Sequence, residues 1–281
     1  MRGAQSIGVA LLSIAAILLA FPAKTPTRSP QTSSYLGFDL NDYPSDDALP
    51  TLRKSFRFTS YWLNAPPGEK HTSWLGKRQV LLAQRFGFVV LYNGRLTKNL
   101  KSIADARQKG TNDAENAAKL ARQEGFPAGT LIFLDIEEGG RLSPGYHEYV
   151  HTWIDTLSAA HFRAGAYCSA IPISEGNGQS INAADDLISH LNGRKLVLWV
   201  FNDVCPPSPG CVVSQTAPPV AQSGSRDAVV WQFAQSPRQK ERTTQCAATY
   251  NADGNCYAPS DTAHKWFLDL NSATTPDPSA P

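Results

Sequence analysis

The stretch Thr130-Leu-Ile-Phe-Leu-Asp-Ile-Glu-Glu138 runs an apolar series of strand formers straight into two carboxylates, Asp135 and Glu137, two positions apart. Side chains alternate faces along a strand, so the two acids point the same way. Like charges held side by side at the end of a buried strand oppose folding. They also push each other's pKa apart, so that one carboxyl stays protonated while the other is ionised. Acid/base cleavage of a glycosidic bond requires that arrangement. A lone D-x-E more often just ends a strand and caps the next helix, so the rest of the chain must supply the context.

The elements that would position such acids are legible as apolar runs. Strands are expected at residues 36–40, 58–63, 86–92, 130–137, 163–169, 196–201, 228–233 and 264–270. Helices are expected at 48–55, 74–85, 111–123, 144–160 and 183–191, the third opening on a capping box at Thr111-Asn-Asp-Ala-Glu115. In the fourth, Tyr146, Tyr149, Val150, Trp153, Ile154 and Leu157 fall on one face. Strands apolar on both faces and alternating with helices indicate a mostly parallel sheet covered by helices. The fold class is therefore α/β, and the strand count favours a modified (β/α)8 TIM-like barrel. Helices are missing or replaced by loops between the last strands. One domain, residues 35–271, accounts for all eight strands, with no internal repeat.

In a barrel of this kind, chemistry sits at the C-terminal ends of the strands. Acids fall there on four of them: Asp39 on the first, Asp135 and Glu137 on the fourth, Asp203 after the sixth and Asp269 on the eighth. The first and eighth strands are neighbours in a closed barrel, so Asp39 and Asp269 should meet. Tyr61, Tyr92, Tyr167, Trp199 and Trp231 lie near the same rim. Each alone reads as a core residue. Gathered at one end they would give flat apolar faces for sugar rings, with carboxylates for the hydroxyls.

The chain has 281 residues, 42% hydrophobic and 18% charged, with a net charge of +2. This is globular composition, and the weak charge points to neither nucleic acid nor an anionic membrane surface as a partner. Arg2 followed by an apolar stretch from residue 7 to 21, broken only by Ser13, matches a signal peptide over residues 1–23. The apolar run is short for a membrane span of roughly 20 residues. An uncleaved N-terminal anchor is the alternative, and only then would the protein meet a membrane. Residues 24–34 read as a flexible leader and 272–281 as a disordered tail. The expected location is exported: periplasm, cell envelope or outside the cell. In that setting the five cysteines suggest two short-loop disulfides, Cys205–Cys211 and Cys246–Cys256, with Cys168 left as a buried thiol. Both loops lie around strands six to eight, where they could narrow the site. His147 and His151 are four apart on a helix, but Tyr149 and Trp153 beside them favour a plain amphipathic helix. No metal and no cofactor is expected.

A family resemblance joins these features. Gly37-Phe-Asp39, Gly110-x-x-Asp113-Ala with Ala117-Ala118, Gly125-x-Pro127-x-Gly129 and Ile132-Phe-Leu-Asp135-Ile-Glu137 come in turn. Tyr149 with Trp153, Gly165-Ala-Tyr167, Trp199, Trp231-Gln232 and Asp269-Leu-Asn271 follow. This order resembles the glycoside-hydrolase-like domains of the DUF1906, or Rv2525c-like, type over roughly residues 35–271. That group resembles the family 25 lysozymes, secreted muramidases with a modified β/α barrel. The resemblance implies cell-wall glycan, peptidoglycan above all, as the partner. By position, Glu137 would be the general acid and Asp135 would orient the 2-acetamido group. Asp39 and Asp269 would hold hydroxyls and tune Glu137, Tyr61 and Trp231 would form cleft walls, and Tyr92, Tyr167, Trp199 and Gln232 would also contact substrate. Two departures bear on substrate: Asn41-Asp42-Tyr43-Pro44 follows the first Asp, and the second strand carries Thr59-Ser60-Tyr61 where the family 25 pattern has Ala-Arg-Tyr. The alternative function is a non-catalytic glycan-binding envelope protein that keeps the barrel cleft.

Overall fold

A computed structural model describes residues 34–203, 211, 217–240 and 250–281. The expected signal peptide or anchor and the leader up to residue 33 lie outside the described residues, as do Cys205 and Cys246. Among the described residues no helix is long and apolar enough to cross a membrane.

Eight strands close into a barrel. In chain order they are β1 (Tyr35–Asp39), β2 (Phe58–Trp62), β3 (Gly87–Asn93), β4 (Leu131–Asp135), β5 (Arg163–Ser169), β8 (Val197–Phe201), β9 (Ala228–Ala234) and β10 (Asp269–Ala273). Around the barrel the order is β1-β10-β9-β8-β5-β4-β3-β2. A separate hairpin of β6 (Ile173–Gly176) and β7 (Gln179–Ile181) stands apart from it. The helices are α1 (Leu49–Leu52), α2 (Arg78–Ala83), α3 (Ile103–Gln123), α4 (Pro144–Ala159) and α5 (Ala183–Ser189). Among the described residues the connection from β8 to β9 carries a 3-10 turn, Val220–Gln222, and no α-helix, as the sequence suggested.

Small residues inside the barrel make room for large ones. A Cβ on Gly37 would come within 2.2 Å of the Phe58 ring, and one on Gly165 within 2.5 Å of Phe133. The barrel centre is thus filled with rings, leaving the mouth for polar groups. Outside it, α3 and α4 cross closely because Gly110 has no side chain: a Cβ there would meet Tyr149 O at 2.6 Å. Asp113 is buried beside that crossing, accepting from Arg95 at 2.6 and 2.7 Å and from Tyr149 OH at 2.8 Å. The Gly110-x-x-Asp113 motif therefore holds two helices together.

Four expectations are corrected. Helix α3 starts at Ile103, not at residue 111, because Ser102 Oγ accepts from Asp105 N at 3.2 Å and caps it there. The eighth strand of the barrel is Asp269–Ala273, not 264–270, and it runs antiparallel to both β1 and β9. The tail is ordered: Phe88 N donates to Asp277 Oδ1 at 2.8 Å and Val90 N to Ser279 Oγ at 2.9 Å, while Ser279 O accepts from Leu131 N at 3.0 Å. The tail wedges between the N-terminal ends of β3 and β4, so its Asp277 and Ser279 serve backbone groups of the barrel. Finally, Cys211 pairs with Cys256 across 45 residues, with Cα atoms 4.9 Å apart. That excludes the pairings Cys205–Cys211 and Cys246–Cys256, because each used a cysteine already bonded elsewhere. Turn residues suggested local loops; tertiary packing set the partner. Cys168 is free and buried as expected.

Ser279→Ala leaves the buried Val90 N–H without its acceptor. It should lower unfolding free energy by about 1–3 kcal/mol in urea titration. A variant as stable as the parent would show that the tail lies loosely on the barrel.

Candidate active site

The polar mouth is built by strand ends. Asp39 ends β1 and Asp135 ends β4, with Glu137 two residues on. β10 is antiparallel, so its first residue, Asp269, sits at the same rim as the last residues of the parallel strands. Asp269 is the register partner of Asp39. Asp39, Asp135, Glu137 and Asp269 line one cavity of about 180 Å3, together with Tyr167, Trp199 and Gln232. A second cavity of about 520 Å3 adjoins it through Asp39, Asn41 and Asp269, and is walled by Tyr43, Trp266 and Phe267. The larger one alone falls in the range of small-molecule sites, roughly 300–1,000 Å3.

A buried hydrogen-bond belt crosses the barrel beneath these acids. Tyr167 OH donates to Gln232 Oε1 at 2.7 Å. Gln232 Nε2 donates to Asp39 at 3.0 and 3.1 Å, and Asn271 Nδ2 donates to Asp39 Oδ1 at 2.5 Å. Trp199 Nε1 donates to Asn271 Oδ1 at 2.9 Å. Gln235 Nε2 adds a bond to Gln232 Oε1 at 2.9 Å. The belt draws on five strand positions that sequence order scatters, and it fixes how Asp39 faces the cavity.

Burial dominates the electrostatics. It pushes Asp39 up to about 6 from the ordinary 3.8, against the downward pull of the Gln232 and Asn271 hydrogen bonds. Asp135 is held well above the usual carboxylate range, first by burial, then by the charges of Glu137 and Asp39. Asp269 is raised by burial and by Asp39, with the Ser236 N–H pulling back; that bond to Oδ1 is 2.6 Å. Asp203 adds to the rise at Asp269, so the acid after β8 is close by. Glu137 is exposed at the mouth, yet the protein packed around its carboxyl still raises its pKa. Asp135 is 3% exposed, and its Oδ2 accepts no hydrogen bond from the protein. The mouth thus gathers carboxyls whose pKa values burial raises, beside one buried oxygen with unused capacity.

Of the aromatic residues expected here, Tyr167 and Trp199 face the cavity. Tyr61, Tyr92 and Trp231 do not. Tyr61 packs outward against Trp74, Phe88 and Phe126, with its hydroxyl donating to Glu124 Oε2. Tyr92 lies on Trp153 and accepts from Asn116 Nδ2 at 3.1 Å. Trp231 donates to Asn202 O at 3.0 Å beside Phe233. The cause is strand alternation: the inward residues are the neighbours Trp62, Leu91 and Gln232. Trp62, Asn41, Gln235 and Asn271 were not singled out as contacts by the sequence reading. Alternation from Tyr61 would have found Trp62. The motif Asp269-Leu-Asn271 carried Asn271 without showing its role.

Residues 76–198 match the family model described as Rv2525c-like, glycoside hydrolase-like domain. The match includes Asp135 and Glu137 and stops short of Asp39, Gln232 and Asp269. No curated protein matches the chain in sequence. An uncharacterized B. stearothermophilus protein, solved at 1.07 Å, shares the fold with a TM-score of 0.52 at 19% identity, over 85% of this chain and 95% of that one. Looser similarity extends to the Mycobacterium tuberculosis Tat-secreted protein Rv2525c (TM-score 0.47, 14% identity, 89% of this chain and 98% of that one). It extends also to GHIP, a glycosyl hydrolase 25 of Streptococcus pneumoniae (0.46, 12%, 84% and 86%).

The pKa of Asp39 carries a stability consequence. Its folded value, about 6, lies above the ordinary 3.8, so its contribution to stability is full below pH 3.8 and is lost as pH rises through 6. Asp39→Asn removes that loss. Across this window the parent should therefore fall relative to the variant by about 3 kcal/mol, read by urea unfolding at a series of pH values. A constant difference between the two would contradict the assignment.

Proposed function

We propose, from the premise that residues 76–198 of this chain carry an Rv2525c-like, glycoside hydrolase-like domain, that the protein hydrolyses a cell-wall glycan of the peptidoglycan type outside the cytoplasm. The observation that carries this reading is the convergence of Asp39, Asp135, Glu137 and Asp269 on one cavity, with Asp135 Oδ2 left for a substrate donor. Glu137, at the open edge and with a raised pKa, protonates the leaving glycosidic oxygen. Asp135 receives the N–H of a 2-acetamido group and stabilises the positive charge that grows at the sugar ring. Asp39 and Asp269 hold hydroxyls, and the charge of Asp39 raises the pKa of both Asp135 and Asp269. Tyr167 and Trp199 close the floor of the inner cavity, and Trp62 walls it. The adjoining cavity, with Tyr43, Trp266 and Phe267, receives the next sugar.

Two features support export. Arg2 and the apolar stretch after it form a signal-like start. The Cys211–Cys256 bridge suits an oxidising compartment.

Purified walls should release soluble fragments with new reducing ends when treated with the parent protein. Glu137→Gln should lower the rate by at least about a hundredfold while leaving glycan binding intact. Binding by both proteins with no new reducing ends from either, over pH 4–8, would make the protein a glycan-binding module instead. Neither binding nor release would remove the glycan reading altogether.

A further inference from the structure

On the outer side of the barrel, α4 and α5 bring together three side chains that the glycan site does not use. His147 lies in the first turn of α4, and Asp186 and His190 are four residues apart at α5 and its C-cap. One ligand atom from each can be chosen so that all lie within 4.8 Å of one another, the one such cluster among the described residues. His147 Nε2 is 2.7 Å from Asp186 Oδ2, and His190 Nδ1 is 3.5 Å from Asp186 Oδ1. The two imidazoles are stacked with centroids 3.9 Å apart.

Asp186 is 0% exposed. Its Oδ2 accepts from Leu142 N at 2.9 Å as well as from His147. Its Oδ1 accepts no hydrogen bond. Leaving a carboxylate oxygen buried and unserved is costly. Arg141 Nη1 comes no closer to it than 3.5 Å, and that guanidinium is committed to Glu175 by bonds of 2.6 and 2.8 Å. The carboxylate is thus oriented through one oxygen, while the other faces a half-exposed imidazole.

We propose that His147, Asp186 and His190 form a binding site for a divalent cation of the zinc type. Two imidazole nitrogens and one carboxylate oxygen are the donor set that zinc takes, with a fourth position for water; calcium and magnesium would call for oxygen donors throughout. Each imidazole binds as the neutral ring. His190 Nδ1 gives up its present contact with Asp186 O at 2.7 Å and His147 Nε2 its bond to Asp186 Oδ2 at 2.7 Å, and each proton moves to the other nitrogen of its ring. The Leu142 N–H bond to Asp186 Oδ2 is the supporting contact that orients the carboxylate. It also ties the cation to residues 136–143, the connection that begins beside Glu137. The ion would pin that connection without touching substrate, so the proposal stands whether or not the cleft cuts glycan.

The test uses the intact oxidised protein, Co2+ as the spectroscopic probe and Zn2+ as the competitor. The expected result is one Co2+ per chain with visible d–d absorption, displaced by Zn2+, and a rise in Tm with Zn2+. His190→Gln, at a half-exposed helix end, should weaken binding at least about tenfold without changing Tm in chelator. His147→Gln should act in the same direction. Absence of the d–d band and of any Tm shift at millimolar metal would overturn the proposal. So would equal binding by His190→Gln, or a thiolate charge-transfer band that places the metal on cysteine.

Discussion

A buried carboxylate, Asp39, holds the mouth of this barrel in order. Burial alone would keep it protonated far above the acid range. Gln232 and Asn271 donate to it, and Tyr167 and Trp199 donate to them in turn, so the charge is shared along a chain of side-chain dipoles. The balance leaves Asp39 near 6, where it can ionise in neutral solution. Asp135 and Asp269 feel that charge and are raised by it. Removing the belt would therefore alter the acidity of the whole group, not only one side chain.

The reversed strand β10 makes the belt possible. A parallel eighth strand would need its C-terminal end at this rim. Running antiparallel, β10 instead begins here, so Asp269 and Asn271, alternate residues on one face, both point into the mouth. The residues after β10 then reach the opposite end of the barrel, where Asp277 and Ser279 serve backbone N–H groups of β3. One segment thus furnishes Asp269 and Asn271 at the mouth and seals the far end.

Much of this was legible in the sequence. The run from residue 163 to 169 reads as a strand and is one, buried from Ala164 to Ser169. The strands ending in Asp39 and Asp135 are equally plain, and the acids mark the rim. What was not legible was the facing of aromatic residues. Trp231 and Gln232 are adjacent in one strand, so they cannot both face the cavity; the small polar residue does, and the ring packs outward. Tyr61 and Tyr92 went the same way, since rings serve the barrel–helix layer as well as they would serve a sugar. The apolar run at 266–270 gave no sign of where pairing begins, which depends on β1 and β9. The cysteine partners were hidden for the same reason: Cys211 and Cys256 meet through tertiary packing that no spacing announces.

The most direct measurement is a crystal structure of Glu137→Gln with a wall-derived glycan fragment long enough to span both cavities. The account predicts a glycosidic oxygen within about 3 Å of the substituted carboxamide. It also predicts an acetamido N–H on Asp135 Oδ2 and hydroxyls on Asp39 and Asp269. A fragment bound elsewhere on the surface, or seated here with its glycosidic oxygen turned away from residue 137, would contradict it.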